Sequence, residues 1–369
     1  VTAALIRPVR AAVRPIAYRA IVPLVSIAAA LAVSAVLIVI AGASPLEAYG
    51  AMLQGAVGGI GSVATTLVRT TPLLLTGLAV ALSFRAGIFN VGAEGQLYAG
   101  AATSAVVALL PLGLPAIVHV PMTLAAGFAG GALWALVPAW LRAYRGVSEV
   151  VTTLMLNFVG IQLVAYLVDP IDGPMGERGA SYAQSPVIAD SAELPILIRG
   201  TSLHAGLFIG IGLAVGLFVL IKYTPFGFRL RMLGGNPTAA RFAGLSEKRE
   251  ILVVMLLSGG IAGLAGAAEV MGLRHRLYDR FSPGYGYDGI AVALLAGSNP
   301  LAVILSAVFF GGLRAGANAM QQSTGIETSV VLIIQALTIL FVILGPLRGW
   351  ARARAERSSD QVGVSAGAA

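Results

Sequence analysis

The chain has 369 residues, 57% of them hydrophobic and only 11% charged, with a formal net charge of +8 and a mean hydropathy of +0.89. A water-soluble domain carries about a quarter charged residues, so this composition lacks the polar surface that a soluble enzyme or nucleic-acid binder needs. Cysteine is absent and the three histidines, His119, His204 and His275, are scattered, which leaves no disulfide and no metal-ligand spacing.

In chain order, residues 1–20 carry Arg7, Arg10, Arg14 and Arg19 and read as a basic cytoplasmic anchor ahead of the membrane domain, 21–346. The stretch 21–43 has no charge and is long enough to span a bilayer. Residues 44–61 contain Glu47 and neither lysine nor arginine, as an external loop should. Apolar stretches follow at about 63–83, 95–111, 116–140, 150–168, 204–222, 251–272, 288–297, 301–319 and 329–346. The sequence therefore predicts an all-α polytopic membrane protein with about ten transmembrane helices, two of them broken or re-entrant.

Charge sets the orientation. Arg142 and Arg145, the connection 223–250 with Arg229, Arg231, Arg241, Lys248 and Arg249, and the tail 347–369 with Arg348, Arg352, Arg354 and Arg357 all fall on the expected cytoplasmic side. Both termini are then cytoplasmic, and the tail is expected to be disordered. The long connection 169–203, rich in Pro, Gly, Ser and acidic residues, is external. Arg274, Arg276 and Arg280 break the rule by falling outside, and we read them as a docking surface for an external partner.

Two segments are unlike ordinary spans. Residues 84–100, FRAGIFNVGAEGQLYAG, set Arg85, Asn90, Glu94 and Gln96 among glycines at membrane depth, and 288–297 is short and runs into Gly297-Ser298-Asn299-Pro300. Irregular backbone at that depth persists where it is buried in protein or lines a water-filled cavity. Paired glycine-interrupted segments five crossings apart are the mark of an inverted 5+5 pseudo-repeat with a central pathway.

Polar groups within the membrane are functional candidates by default. Asn90, Glu94 and Gln96 offer hydrogen bonds to a polar solute, with Phe89 as a stacking face; the other reading is that they satisfy the freed backbone of a broken helix. Asn157, Glu269, Arg314 and Asn318 are isolated, and Glu269 is expected to pair with Arg314. A proton relay through Glu94 or Glu269 would make the chain an ion-driven carrier. A P-loop needs G-x-x-x-x-G-K-[ST], and neither Lys222 nor Lys248 follows such a run. In the connection 233–245, Asn236 or Thr238 can cap a short helix, Pro237 suits its first turn and Gly244 can end it. Such a helix, carrying Phe242, is either a solvated connector or a plug for a groove on a cytoplasmic partner.

These stretches, with 149–157 (EVVTTLMLN), 234–244 (GGNPTAARFAG), 258–272 (SGGIAGLAGAAEVMG) and 282–295 (SPGYGYDGIAVALL), resemble the permease subunits of bacterial ABC importers in the ribose and branched-chain amino-acid transporter superfamily. Within it the chain is most similar to the nucleoside branch that works with basic-membrane-protein-type lipoproteins. The likeness runs from about residue 45 to 346. It implies a multi-pass protein of the bacterial cytoplasmic membrane with Phe89, Asn90, Glu94, Gln96 and Asn157 on the substrate route. Gly235, Asn236, Pro237, Ala240, Arg241, Phe242 and Gly244 would then form the helix that couples to the ATPase. It also implies three partners: a cytoplasmic ABC ATPase, which would hold the ATP and Mg, a second permease subunit, identical or homologous, and an external substrate-binding lipoprotein. No cofactor is expected in this chain and no nucleic acid among its partners. Relatives of this branch that move riboflavin or simple sugars are the alternative cargo reading.

Overall fold

The computed structural model describes residues 24–342 and 344; the expectations for 1–20 and 347–369 lie outside the described residues. The described residues are helical with no strands, and only isolated bridges occur in loops.

In chain order the helices are α1 (Leu24–Ile40), α2 (Pro45–Val57), α3 (Ile60–Arg85), α4 (Ala93–Leu109), α5 (Ala116–Arg145) and α6 (Glu149–Leu167). Next come α7 (Gly206–Tyr223), α8 (Pro225–Gly235), α9 (Pro237–Phe242), α10 (Glu247–Glu269), α11 (Tyr285–Leu295), α12 (Pro300–Thr324) and α13 (Ser329–Val342). Six helices are long and apolar enough to cross a membrane, or seven if the broken pair α1–α2 counts as one span. Of the remaining expected crossings, α4 has 17 residues and α11 has 11, short of the roughly 20 a straight span needs. Residues 44–61, expected as an external loop, are mostly helix: Pro45 starts α2 and the run LEAYGAMLQ contains good helix formers.

The chain divides into two compact units. One comprises residues up to Tyr49 and from Met320 onward. Within it Tyr49 donates its hydroxyl to the Leu31 carbonyl at 2.7 Å and shares a 2.7 Å bond with the Ser34 hydroxyl, tying the start of α2 to α1.

The larger unit, Gly50–Ala319, is layered by burial. The apolar windows of α3 and α10 are 83% and 72% buried, whereas those of α5, α6 and α7 are only 28%, 22% and 33% buried. Apolar helices that bury so little against their own chain face lipid or another membrane subunit. Two further pairs of consecutive helices, α3–α4 and α10–α11, each set a long helix before a short one with a break between them; α3 packs on α11 and α4 packs on α10, so each long helix of one pair holds the short helix of the other.

Glycine makes that crossing possible. A methyl group on Gly100 would lie 2.3 Å from the Gly263 Cα, one on Gly131 2.2 Å from the Gly259 carbonyl oxygen, and one on Gly266 2.0 Å from the Leu97 carbonyl oxygen. These helices touch backbone to backbone, as membrane helices do where small residues align. On the other pair, Gly289 of α11 would meet the Thr76 Oγ1 at 2.7 Å. The glycine-rich run in α10 is thus the groove into which α4 and α5 fit.

Candidate functional site

The break between α3 and α4 is built by its own polar side chains. Gly87 takes φ +73°, a left-handed turn that glycine reaches without steric cost, and the chain leaves α3 there. The buried Asn90 amide then meets every demand around it. Its Nδ2 donates to the Gln96 Oε1 and to the Ser258 Oγ, both at 2.9 Å. Its Oδ1 accepts from the Gly92 N–H at 3.0 Å and from the Gln96 Nε2 at 3.1 Å. Ser258 passes the chain on, donating to the Ala79 carbonyl at 2.7 Å.

Asn157 of α6 serves the same loop from the other side. Its Oδ1 accepts the Gly95 N–H at 2.8 Å and its Nδ2 donates to the Val91 carbonyl at 2.9 Å. Glu94 reaches across to the second broken pair, accepting the Gly286 N–H at 2.6 Å. The first turn of α4 leaves four N–H groups without helical partners, and Asn90 and Asn157 satisfy two of the orphans near it. The structure therefore brings Asn90, Glu94, Gln96 and Asn157 together, each bonded within the protein in this conformation. Phe89 differs: it is 54% exposed, with one face toward Phe84 at 5.1 Å between ring centres.

Replacing Asn90 by alanine strands the Gln96 amide and the Gly92 N–H in a dry interior. Each orphan costs about 1–3 kcal/mol, so a clear drop in the thermal unfolding midpoint is expected in detergent. A midpoint within a degree or two of the parent would contradict this network.

The second pair carries charge that sequence reasoning placed differently. Arg314 pairs with Asp288, its Nη2 at 2.6 Å and its Nε at 2.8 Å from the Asp288 Oδ2, not with Glu269 as expected. The reason is reach: Arg314 on α12 faces the first turn of α11, while Glu269 closes α10 and is 1% exposed. The Glu269 Oε2 has no hydrogen-bond partner among the described residues. Arg69 donates to the Tyr285 hydroxyl at 3.3 Å, and Thr76 donates to the Tyr285 carbonyl at 3.0 Å. Asn318 is exposed. Arg69, Ser258, Tyr285, Gly286 and Asp288 were not singled out from sequence. A lone arginine inside the apolar stretch 63–83 was the available signal for the first, and the polar run SPGYGYD for three of the others.

Outside the pairs, Arg276 bonds Glu177 of the connection 169–203, and the His275 Nδ1 lies 3.2 Å from the Glu193 Oε1. Backbone bonds from Ser185 to Leu277, Ile188 to His275 and Leu194 to Met271 lay that connection along the segment after α10. Arg276 is thus occupied by the chain's own loop, whereas Arg274 and Arg280 are exposed.

The connection 223–250 forms α8 and α9. Asn236 caps α9, its Oδ1 accepting the Ala239 N–H at 3.0 Å, Pro237 fills the first position, and Gly244 leaves the helix at φ +81°. Ala240 is buried, Arg241 lies 3.7 Å from Glu247, and Phe242 is 90% exposed. Gly235 is exposed, with open space where a side chain would be. Next to it, Gly234 in the last turn of α8 lies against the end of α3, where a methyl would lie 2.2 Å from the Arg85 carbonyl oxygen. The end of α8, just before α9, and the break that carries Phe89 are therefore joined by close backbone contact.

Comparison with known proteins agrees with this architecture. Residues 62–343 match the family described as branched-chain amino acid transport system permease component. The glucose ABC transporter permease protein TsgB13 of Haloferax volcanii is 39% identical over 331 residues, 87% of this chain and 86% of that protein. The guanosine ABC transporter permease protein NupP of Bacillus subtilis is 36% identical, covering 87% of this chain and 92% of its own length. The nucleoside ABC transporter permease protein NupB of Lactococcus lactis is 30% identical, covering 88% and 90%. No solved structure matches. Several apolar helices long enough to span a membrane, relatives of 30–39% identity and a family match over most of the chain lead to one conclusion: this chain belongs to the family of branched-chain amino acid transport system permease components.

Proposed function

We propose that this permease subunit carries nucleosides across the bacterial cytoplasmic membrane in an ABC importer, with ATP and Mg bound and hydrolysed on a separate cytoplasmic ATPase. The observation that carries the coupling half is Phe242, an aromatic ring 90% exposed on a capped, rigid turn. A lone exposed ring on such a turn suits a pocket on a partner. Gly235, Asn236, Pro237, Ala240, Arg241, Phe242 and Gly244 form the docking helix. A second permease, identical or homologous, covers apolar helix faces that this chain leaves open.

The cargo half rests on the relatives named for guanosine and nucleosides and on Phe89, whose open ring suits a flat base. Asn90, Glu94, Gln96 and Asn157 stand behind Phe89. They hold the break in this state and would meet solute hydroxyls only when the break reopens. The glucose relative favours a sugar as the second reading. An external lipoprotein would deliver the solute near Arg274, Arg280 and the connection 169–203, with Arg276 anchoring that loop. Both termini lie in the cytoplasm on this reading.

ATP and the loaded lipoprotein must favour different conformations, since a ligand that binds both equally shifts nothing. The test is uptake of labelled nucleoside by the reconstituted importer, with and without its ATPase and with unlabelled glucose as competitor. ATPase-dependent uptake insensitive to glucose is expected. Uptake by the permease alone would point to an ion-driven carrier, and glucose competition would move the cargo to sugars.

A further inference from the structure

Beside the first turns of α3 lies a cavity of about 290 Å³, lined among the described residues by Thr65, Val68 and Arg69 of α3, by Thr201 and Ser202 ahead of α7, and by Leu273. A tight turn presents Thr201 and Ser202. The Leu197 N–H donates to the Leu203 carbonyl at 2.7 Å, the Thr201 N–H donates to the Ile198 carbonyl at 3.1 Å, and Gly200 takes φ +80°. Val68 packs with Leu203 and Leu207 in an apolar cluster that Leu273 borders, which fixes the turn against α3. Small-molecule sites combine such apolar walls with a few placed polar groups and begin at about 300 Å³. The space suits a sugar ring.

Arg69 links this cavity to the crossing of α3–α4 with α10–α11. Its Nη1 donates to the Tyr285 hydroxyl at 3.3 Å, longer than the usual N–H···O bond of about 2.9–3.0 Å. Tyr285 is buried and is the first residue of α11. From α3 and α4 come two shorter bonds to the same turn: the Thr76 Oγ1 donates to the Tyr285 carbonyl at 3.0 Å, and Glu94 accepts the Gly286 N–H at 2.6 Å. Arg69 thus makes the longest of these three bonds. A guanidinium carries five N–H donors in a fixed fork, enough to serve an oxygen in the cavity as well.

We infer that this cavity receives the sugar hydroxyls of the incoming solute, and that Arg69 exchanges the Tyr285 hydroxyl for a solute oxygen. The inference rests on the import reading above, which puts the connection 169–203, and with it Thr201 and Ser202, on the outer side. The Thr65 and Thr201 hydroxyls already donate to the Gly61 and Ile198 carbonyls, at 2.9 and 2.8 Å. Each keeps a lone pair to accept with. A sugar hydroxyl accepts from Arg69 and donates to a threonine, whereas an anion uses the arginine alone. Ribose and hexose share this chemistry. The exchange frees the start of α11 from α3, so an arriving solute favours a conformation in which the crossed helices loosen. A ligand shifts an equilibrium only by binding one state better, and competition between Tyr285 and the solute for one guanidinium supplies that difference.

The chain has no cysteine, so Thr65→Cys and Thr201→Cys each create a single thiol at the cavity. Full-length protein in lipid nanodiscs is labelled with a maleimide, with and without millimolar adenosine, glucose or adenine. Adenosine or glucose should slow labelling about fivefold, as at a concentration about four times Kd, and adenine should not. Tyr182→Cys, at an exposed residue outside the lining, should label at one rate throughout. Arg69→Gln and Tyr285→Phe remove the same hydrogen bond, so a purely structural role would move them alike. In the Thr201→Cys background, Arg69→Gln should abolish protection and Arg69→Lys should retain part of it. Tyr285→Phe should instead bring protection in at a lower concentration. Equal effects of Arg69→Gln and Tyr285→Phe, or protection by adenine as strong as by adenosine, would overturn the inference. Absence of protection by both sugar-bearing probes would overturn it too, and ATPase-dependent nucleoside uptake would then leave the import reading standing. Protection by glucose alone keeps the cavity and Arg69 and moves only the cargo.

Discussion

A Gly263→Leu variant is expected to leave almost no monodisperse protein after extraction, while total synthesis stays near the parent. Gly263 sits where α5 and α10 touch: even a methyl would lie 2.2 Å from the Gly127 carbonyl oxygen and 3.0 Å from the Gly131 Cα. Those neighbours are backbone, which cannot rotate aside. Overpacking a core against flexible side chains costs about 1–3 kcal/mol. Here whole helices must separate, and α4 loses its groove as well, because Gly100 rests on the same residue. Gly216, on α7 with open space where a Cβ would go, is the internal control. Gly216→Leu should be extracted at parental yield. Size-exclusion profiles of fluorescent fusions decide the matter, and equal profiles for the two variants would sink the backbone-contact argument.

The second large effect is expected at Phe242. Phe242→Ala should reduce ATPase-driven uptake to a few per cent of the parent without changing the amount of protein in the membrane. Truncating an aromatic anchor at the centre of an interface commonly costs about 2 kcal/mol or more, a factor of roughly 30 in affinity. Because Phe242 is 90% exposed, its loss leaves the fold of this chain undisturbed. Gly244→Val should uncouple by another route, since φ +81° is strained for any side chain and worst for a branched one. Uptake measured against membrane abundance separates coupling from folding. Undiminished uptake in Phe242→Ala would remove α9 as the docking element.

Much of the membrane architecture was legible because its signals are local. Apolar length marks spans, Asn236-Pro237 and Gly244 mark the ends of α9, and a lone asparagine amid glycines marks a break. What stayed hidden depends on which distant segments meet. No periodicity tells that Ser258 will receive Asn90, or that Arg314 will choose Asp288 over Glu269, because those pairings follow from how α3, α10, α11 and α12 cross. The same limit applies to 44–61, where lack of basic residues suggested a loop although the local propensity of LEAYGAMLQ favoured helix. Charge bias speaks about sides of a membrane, and propensity about backbone shape; there the second decided. For Asn90, Glu94 and Gln96 the sequence left two roles open, and in this structure all three are engaged by internal hydrogen bonds.

The crossed pairing has a consequence for biogenesis. Asn90 and Ser258 are 168 residues apart, so at a synthesis rate of about 5–20 residues per second roughly 8–35 s separate their emergence. Throughout that interval the first broken pair has been made but the groove it fits does not yet exist. Its buried amides must keep company with lipid headgroups, water at the insertion machinery or a holding factor until α10 arrives. A ribosome-bound chain truncated before residue 247 should therefore be far more sensitive to membrane proteolysis than one carrying α10. Quality-control proteases would then have their best opportunity midway through synthesis, and slow codons placed between the two halves would lengthen it.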